Sequence, residues 1–172
     1  NPPIRPQWHA EHLWQGLRDG DLQTVATDHC PFNFKGQKDM GRGDFRKIPN
    51  GLPGIETRMP LMHQGVVDGR ITANKFVELT ATNPAKLFGL YPRKGALVPG
   101  ADADIVIWDP AKVWELSHAN LHMNVDHSIY EGFGVRGKPD KVFVNGKLVV
   151  DGDEFFGEPG EGRFLRREPV QY

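Results

Sequence analysis

The chain opens on a helical period and closes on a strand period. After Pro6, which suits the first turn of a helix, Ala10, Leu13, Trp14 and Leu17 recur at i, i+3, i+4 and i+7, and Gly20 supplies a stop. This amphipathic helix feeds a short apolar run, Leu22, Val25 and Ala26, which predicts a buried strand over residues 22–26. The polar triplet Thr27-Asp28-His29 follows at once, before Pro31 breaks the pattern. Residues 31–54 form a long loop rich in Gly, Asp, Lys and Arg. Loops of that length inside a domain are uncommon and tend to be functional or disordered, and Phe32, Phe34 and Phe45 predict an ordered loop packed against something. Helical spacing returns with Ile55, Met59, Met62 and Val66 and ends at Gly69. Pro60 requires that helix to begin after Ile55 or to kink. Thr72 then reads as the cap of a short helix carrying Phe76, Val77 and Leu79, and Asn83-Pro84 starts a second that Gly89 stops.

After Tyr91-Pro92 the pattern becomes one of short β-type runs, over residues 96–98, 105–108, 113–116, 141–144 and 147–150, separated by Gly, Pro, Asp and Asn. Asn145-Gly146 is a two-residue hairpin turn. The second half is therefore expected to be a small β unit, antiparallel in part. From Asp151 onward there is no apolar period, only glycines, prolines and Arg163, Arg166 and Arg167. Such a tail is either disordered or an arm that packs on another subunit.

Composition narrows the classes of function. With 172 residues and 38% hydrophobic content the chain can bury a core. A net charge of −1 gives no electrostatic reason to expect nucleic acid or an acidic membrane surface as partner. No run approaches the length of a membrane span, and NPPIRPQ has neither the basic start nor the apolar stretch of a signal peptide, so the default location is cytoplasmic. Cys30 is the sole cysteine, which excludes an internal disulfide and suits a reducing compartment. The start at Asn1-Pro2-Pro3, without methionine, reads as the middle of a longer protein.

The candidate chemistry centres on Asp28, where a strand becomes a loop. Catalytic groups collect at such strand ends because the strand holds their roots rigid while the loop varies. Asn50-Gly51 and Pro53-Gly54 are turn dipeptides that present backbone N–H and C=O groups in fixed directions, suited to an amide- or imide-like ligand, or are simply turns. Cys30 has no CxxC partner and reads as a small buried residue. His9 and His12 share a helical face without a nearby carboxylate or cysteine to complete a metal site. His118 and His122, spaced i, i+4, with Asp126 or His127 as a third ligand, look like a metal motif. The glutamate of the HExxH pattern is missing there, and hydrogen-bonding loop histidines fit the segment better.

TDHCPFNF at 27–34, DFRKIPNGLPGIETRMPL at 44–61, TATNPAKLFGLYPRKGALVPGADADIVIWDP at 80–110 and YEG at 130–132 closely resemble the C-terminal portion of the D-hydantoinase and dihydropyrimidinase group of cyclic amidohydrolases. The resemblance covers nearly the whole chain. It implies an α/β plus β architecture, the C-terminal end of a metal-dependent (β/α)8 TIM barrel followed by part of a β-sandwich domain. Residues 1–93 would supply the last barrel strand, its loop and the C-terminal barrel helices, 94–151 the β-sandwich portion and 152–172 a C-terminal arm. By the same resemblance Asp28 is a ligand of the more buried zinc of a two-zinc site and the proton shuttle. Asn50 would hold the imide of the substrate ring by its main chain, and Asn1 stands where many relatives have a substrate-contacting serine. His29 would support Asp28 from behind or pack beside the strand. The implied substrate is a cyclic amide or ureide, opened to an N-carbamoyl amino acid, and the implied assembly is a homo-oligomer, dimer or tetramer.

The family's HxH pair, carboxylated lysine and two further histidines are absent from the sequence, and a (β/α)8 barrel takes about 250 residues. The isolated chain is therefore expected to be inert. A different class is a non-catalytic adaptor, as in the collapsin response mediator proteins, which resemble dihydropyrimidinases but depart from the aspartate that Asp28 retains. A free-standing zinc module on His118, His122 and His127 would require those rings to converge on one ion.

Overall fold

The computed structural model describes residues 5–170. Helix α1 (His9–Asp19) ends at Gly20, whose φ of 86° lets its N–H reach the Gly16 carbonyl at 3.1 Å. Its inward face carries Leu17, buried, and Trp14, partly buried, whereas Leu13 is exposed. Helix α2 (Arg58–Val67) begins after Ile55, so Pro60 falls in the first turn, where its missing N–H removes no helical bond. Helix α3 (Ala73–Val77) is capped by the Thr72 hydroxyl, which accepts from the Lys75 N–H at 3.1 Å. The two short helices expected here are one continuous rod. A π turn over Glu78–Thr82 joins α3 to α4 (Asn83–Leu87), with Pro84 just beyond it. The wide turn accommodates a proline that a regular α-helix interior would not, since Pro84 donates no bond to the preceding turn.

The core of this helical layer is Leu17, Met62, Ile71, Phe76 and Leu79, with Trp14, Val25, Met59 and Val66 packed around them. Arg18 donates to the Arg70 carbonyl at 3.1 Å, and Arg70 in turn pairs with Glu11, fastening α1 to the end of α2.

The strand expected over residues 22–26 does not form. The segment pairs with no strand, and of its apolar residues only Val25 packs on the core while Leu22 and Ala26 are exposed. A strand needs a neighbouring strand to take its N–H and C=O groups. Among the described residues side chains stand in for one. Asn83 Nδ2 donates to the Gln23 carbonyl at 2.9 Å and Arg58 Nη1 to the Val25 carbonyl at 3.1 Å. Residues 96–98 are likewise not a strand.

The remaining β runs merge into an antiparallel sheet in the order β1 (Ile105–Leu116), β2 (Phe133–Val144), β3 (Lys147–Asp151), β4 (Glu154–Phe155). The runs at 105–108 and 113–116 are one strand. The register breaks between Asp109 and Val113, which bulges out Pro110, and the Asp109 carboxylate takes the Ala111 N–H at 2.8 Å. Asn145 and Gly146, with φ of 50° and 81°, make the tight turn from β2 to β3. Leu116 and Val135 bury the inner face. The tail packs back on its own chain, because the Glu168 N–H donates to the Gly89 carbonyl at 2.9 Å and the Arg167 guanidinium lies over the Phe88 ring.

Candidate functional site

Two loops converge beside the 22–26 segment. Residues 27–30 run off its end, and residues 50–55 pass alongside them in the same direction, joined by a parallel bridge between His29 and Leu52. The Cys30 N–H donates to the Leu52 carbonyl at 3.2 Å and its Sγ to the Asn50 carbonyl at 3.6 Å. Cys30 is therefore an exposed residue with a local partner, and the buried role expected for it is corrected.

Asp28 sits at the joint. Its φ is 46°, in the left-handed region that aspartate tolerates better than most residues, and it is exposed. On either side of it Thr27 packs inward, its methyl within van der Waals range of a Cβ placed at Gly54, and His29 also faces the 50–55 loop. The ring of His29 is fixed by that loop, since Nδ1 accepts from the Gly54 N–H at 3.1 Å and the Ile55 N–H at 3.3 Å. A nitrogen that accepts twice carries no proton, which assigns the proton of the neutral ring to Nε2.

Asn50 is exposed in the opposing segment. Behind it Gly51 has φ of 129°, and a Cβ there would collide with the Cys30 carbonyl and stand 2.6 Å from the Cys30 Cβ. Glycine is what allows the two loops to touch. Lys38 closes the arrangement from below, its ammonium donating to the carbonyls of Pro49 at 2.9 Å and Gly51 at 2.6 Å. Asp28 and Asn50, both exposed, stand one and two residues before the partners of the His29–Leu52 bridge that joins their segments. Asn1 lies outside the described residues.

The aromatic residues of the long loop pack only in part. Phe32 is half-buried under the Lys38 ammonium, Phe34 meets the His127 ring edge-on but stays exposed, and Phe45 is exposed. The Asp126 carboxylate receives the N–H groups of Phe34 at 2.6 Å and Lys35 at 3.0 Å. Those bonds, that from Lys35 first, hold its pKa below the usual carboxylate range.

The histidines of residues 118–127 do not converge. His118 Nδ1 lies 3.1 Å from Glu131, His122 Nδ1 2.7 Å from Glu56 and His127 Nδ1 3.4 Å from Asp126, so each has its own carboxylate. Only His118–Asn120 is helical, a single 3-10 turn, which removes the i, i+4 face on which a metal pair would depend. Among the described residues no group of three or more His, Cys, Asp or Glu side chains could hold a metal ion. His9 stacks on Trp8 with ring centroids 3.7 Å apart.

The roles of His29, Lys38 and the Glu56–His122 pair in this site have no local signature in the sequence. Their partners are backbone groups or residues 11 to 66 positions away, and only the Gly51 and Gly54 punctuation hints at a close approach.

The family model of the Amidohydrolase family matches residues 6–149. The chain belongs to the amidohydrolase family. Over 170 residues this amidohydrolase chain is 51% identical to the D-hydantoinase of Streptomyces coelicolor, an alignment covering 99% of the chain and 36% of that protein. It is 49% identical to the D-hydantoinase of Ralstonia pickettii over 96% of the chain and 36% of that protein. Among solved structures it matches the dihydropyrimidinase from Brevibacillus agri NCHU1002 with a TM-score of 0.96 and 47% identity, covering all of the chain and 37% of that protein. The chain thus spans a little over a third of the length of the relatives it matches. Among the described residues no helix of this amidohydrolase chain is long and apolar enough to cross a membrane.

Proposed function

We propose that the chain is the C-terminal part of a metal-dependent enzyme that hydrolyses the ring amide of hydantoins or dihydropyrimidines to N-carbamoyl amino acids. The observation that carries this reading is the His29–Leu52 bridge, which joins the segment bearing Asp28 to the segment bearing Asn50. The names of the relatives support the substrate class. The metal expected is zinc, two ions in the complete site. Asp28 fits such a site as an exposed oxygen donor rooted on fixed backbone. The other ligands, including a carboxylated lysine, lie in the remainder of the enzyme.

When bound, the metal lowers the pKa of a water molecule and polarises the ring carbonyl. Asp28 accepts the proton of the attacking water as the new C–O bond forms. It delivers that proton to the ring nitrogen as the C–N bond breaks, so that an amine leaves in place of an amide anion. Asn50 supplies the main-chain groups that hold the imide. Asn1 stands in sequence at the position of a substrate contact, where the contact would have to come from its main chain. The full enzyme is a cytoplasmic homo-oligomer, to which residues 1–93 give the last barrel strand, its loop and the C-terminal barrel helices, 94–151 the β-sandwich portion and 152–172 a C-terminal arm.

The adaptor alternative has less support, since Asp28 is retained and the relatives are named as enzymes. The deciding experiment is hydantoin and dihydrouracil hydrolysis by the longer enzyme, before and after chelation and with zinc restored. Ring opening that chelation removes and zinc returns is the expected result. No hydrolysis of either ring by the metal-loaded enzyme would overturn the reading.

A further inference from the structure

We infer that His29 is a positioning residue that sets the distance between the Asp28 carboxylate and the substrate-holding turn at Asn50. The inference deepens the reading above and rests on it for its kinetic arm. Asp28 and Asn50 belong to loops 22 residues apart, and their placement relative to each other depends on how those loops are joined. The joins are few. One is the Cys30 N–H to the Leu52 carbonyl at 3.2 Å, and another is the weak thiol contact of Cys30 with the Asn50 carbonyl at 3.6 Å. The third is the pair of bonds from the Gly54 and Ile55 N–H groups to His29 Nδ1.

The His29 join differs from the others in kind. Residues 54 and 55 lead into α2, and the Thr57 hydroxyl, almost fully buried, ties back to the Gly54 carbonyl at 3.1 Å. Gly54 is thus held on one side by the helix entry and on the other by His29. Because His29 is the next residue after Asp28, a shift of its backbone, which these two bonds to its ring resist, is passed to the carboxylate. One imidazole nitrogen therefore references the Asp28 side of the site to the rigid helical layer through the turn that carries Asn50. Misplacements of about 1 Å in such sites cost about 100-fold in rate, and loss of residues that orient metal ligands costs about 10- to 100-fold.

The test compares His29→Ala with His29→Asn in the longer enzyme, because the Asn side-chain oxygen can occupy the place of Nδ1 and accept from the same two N–H groups. His29→Ala is expected to lower kcat/KM by about 10- to 100-fold, with KM raised more than kcat is lowered, and His29→Asn to recover it to within about fivefold. Deuterium exchange of the peptide spanning residues 50–57 is expected to quicken in His29→Ala and to match wild type in His29→Asn. Equal losses in both variants, or unchanged exchange in His29→Ala, would overturn the proposal. Exchange is read without substrate, so an enzyme that opens neither ring leaves this test standing while the functional reading falls. An active enzyme in which His29→Ala changes neither KM nor exchange does the reverse.

Discussion

His63 and the Arg136 carbonyl join the two halves of the molecule, with Nδ1 of the buried imidazole 2.7 Å from that oxygen. The oxygen can only accept, so Nδ1 carries the proton. The same residue makes a second join, since the Arg136 N–H donates to Gln64 Oε1 at 2.9 Å. Consecutive residues of the helix are thus stitched to both backbone groups of one β2 residue, over an aromatic packet in which the His63 ring touches Phe76 and Trp108. Replacing His63 by Leu keeps the packing volume but leaves the Arg136 carbonyl without its partner. A loss of about 1–3 kcal/mol in denaturant unfolding is expected. His63→Gln, which can still donate, is expected to lose less.

Gly137 is the residue that lets this packet close. Its φ is 102°, and a Cβ there would collide with His63 Nδ1 and lie 2.6 Å from Trp108 Nε1. Gly137→Ala meets both a disfavoured backbone conformation and overpacking against two rings. A loss of about 2–4 kcal/mol is expected by the same measurement, more than for His63→Leu.

What the sequence makes legible follows from how local each determinant is. The α1 spacing with Gly20, the Thr72 cap and the Asn145-Gly146 turn each involve residues within one turn of one another, and all appear where the pattern puts them. The strand over 22–26 fails because its existence depends on neighbours at a distance. Its apolar letters describe a burial that no described residue supplies on that side. The β1 strand was split in two by Pro110, a residue that a bulge absorbs once β2 is beside it. Of the site, Asp28 and the Asn50 turn are visible in the letters. The imidazole, thiol and ammonium that hold them together are not, because His29, Cys30 and Lys38 act on backbone groups that have no letter of their own.

Gly51 offers a test of the contact between the two loops that leaves every functional group in place. In Gly51→Ala the new methyl cannot coexist with the Cys30 carbonyl, so the Asn50 turn must move away from Asp28. In the longer enzyme kcat/KM is expected to fall by about 10- to 100-fold. The thiol of Cys30, freed from the Asn50 carbonyl, is expected to react faster with a maleimide. Wild-type kinetics in Gly51→Ala would show that the turn takes no part in holding substrate.

Glu131 predicts how the β unit responds to acid. Its carboxylate accepts from the Ser117 hydroxyl at 2.5 Å, from the His118 N–H at 2.9 Å and from the His118 ring. These bonds, that from Ser117 foremost, bring its pKa from the usual 4.5 down to about 2. A folded-state value below the unfolded one means that the stabilisation is present above pH 4.5 and drains as the pH falls from there toward 2. The melting temperature of wild type is therefore expected to drop across that window. Glu131→Gln is expected to start lower at neutral pH and to show a shallower drop, so that the two curves approach one another at the acid end. Parallel curves would mean that Glu131 keeps an ordinary pKa in the folded protein.

Asp28 carries the largest expected effect, and two substitutions separate its proposed duties. Asp28→Asn keeps the size and the left-handed backbone, which asparagine tolerates, but removes the charge that attracts a cation and the basicity that accepts a proton. The longer enzyme bearing it is expected to lose activity by more than about 100-fold, the lower range for a general acid–base group, and to hold less zinc after dialysis. Asp28→Glu keeps charge and basicity but moves the carboxylate by one methylene from a backbone that the Leu52 bridge holds still. Zinc retention with lost turnover in Asp28→Glu would mean that ligation tolerates the shift and proton delivery does not. The 172-residue chain is expected to bind less than one zinc per chain and to open no hydantoin, because one carboxylate with a separate partner for each of His118, His122 and His127 does not make a site. Stoichiometric zinc in that chain would return those three histidines to candidacy, and substituting them one at a time would then show whether they had converged on the ion.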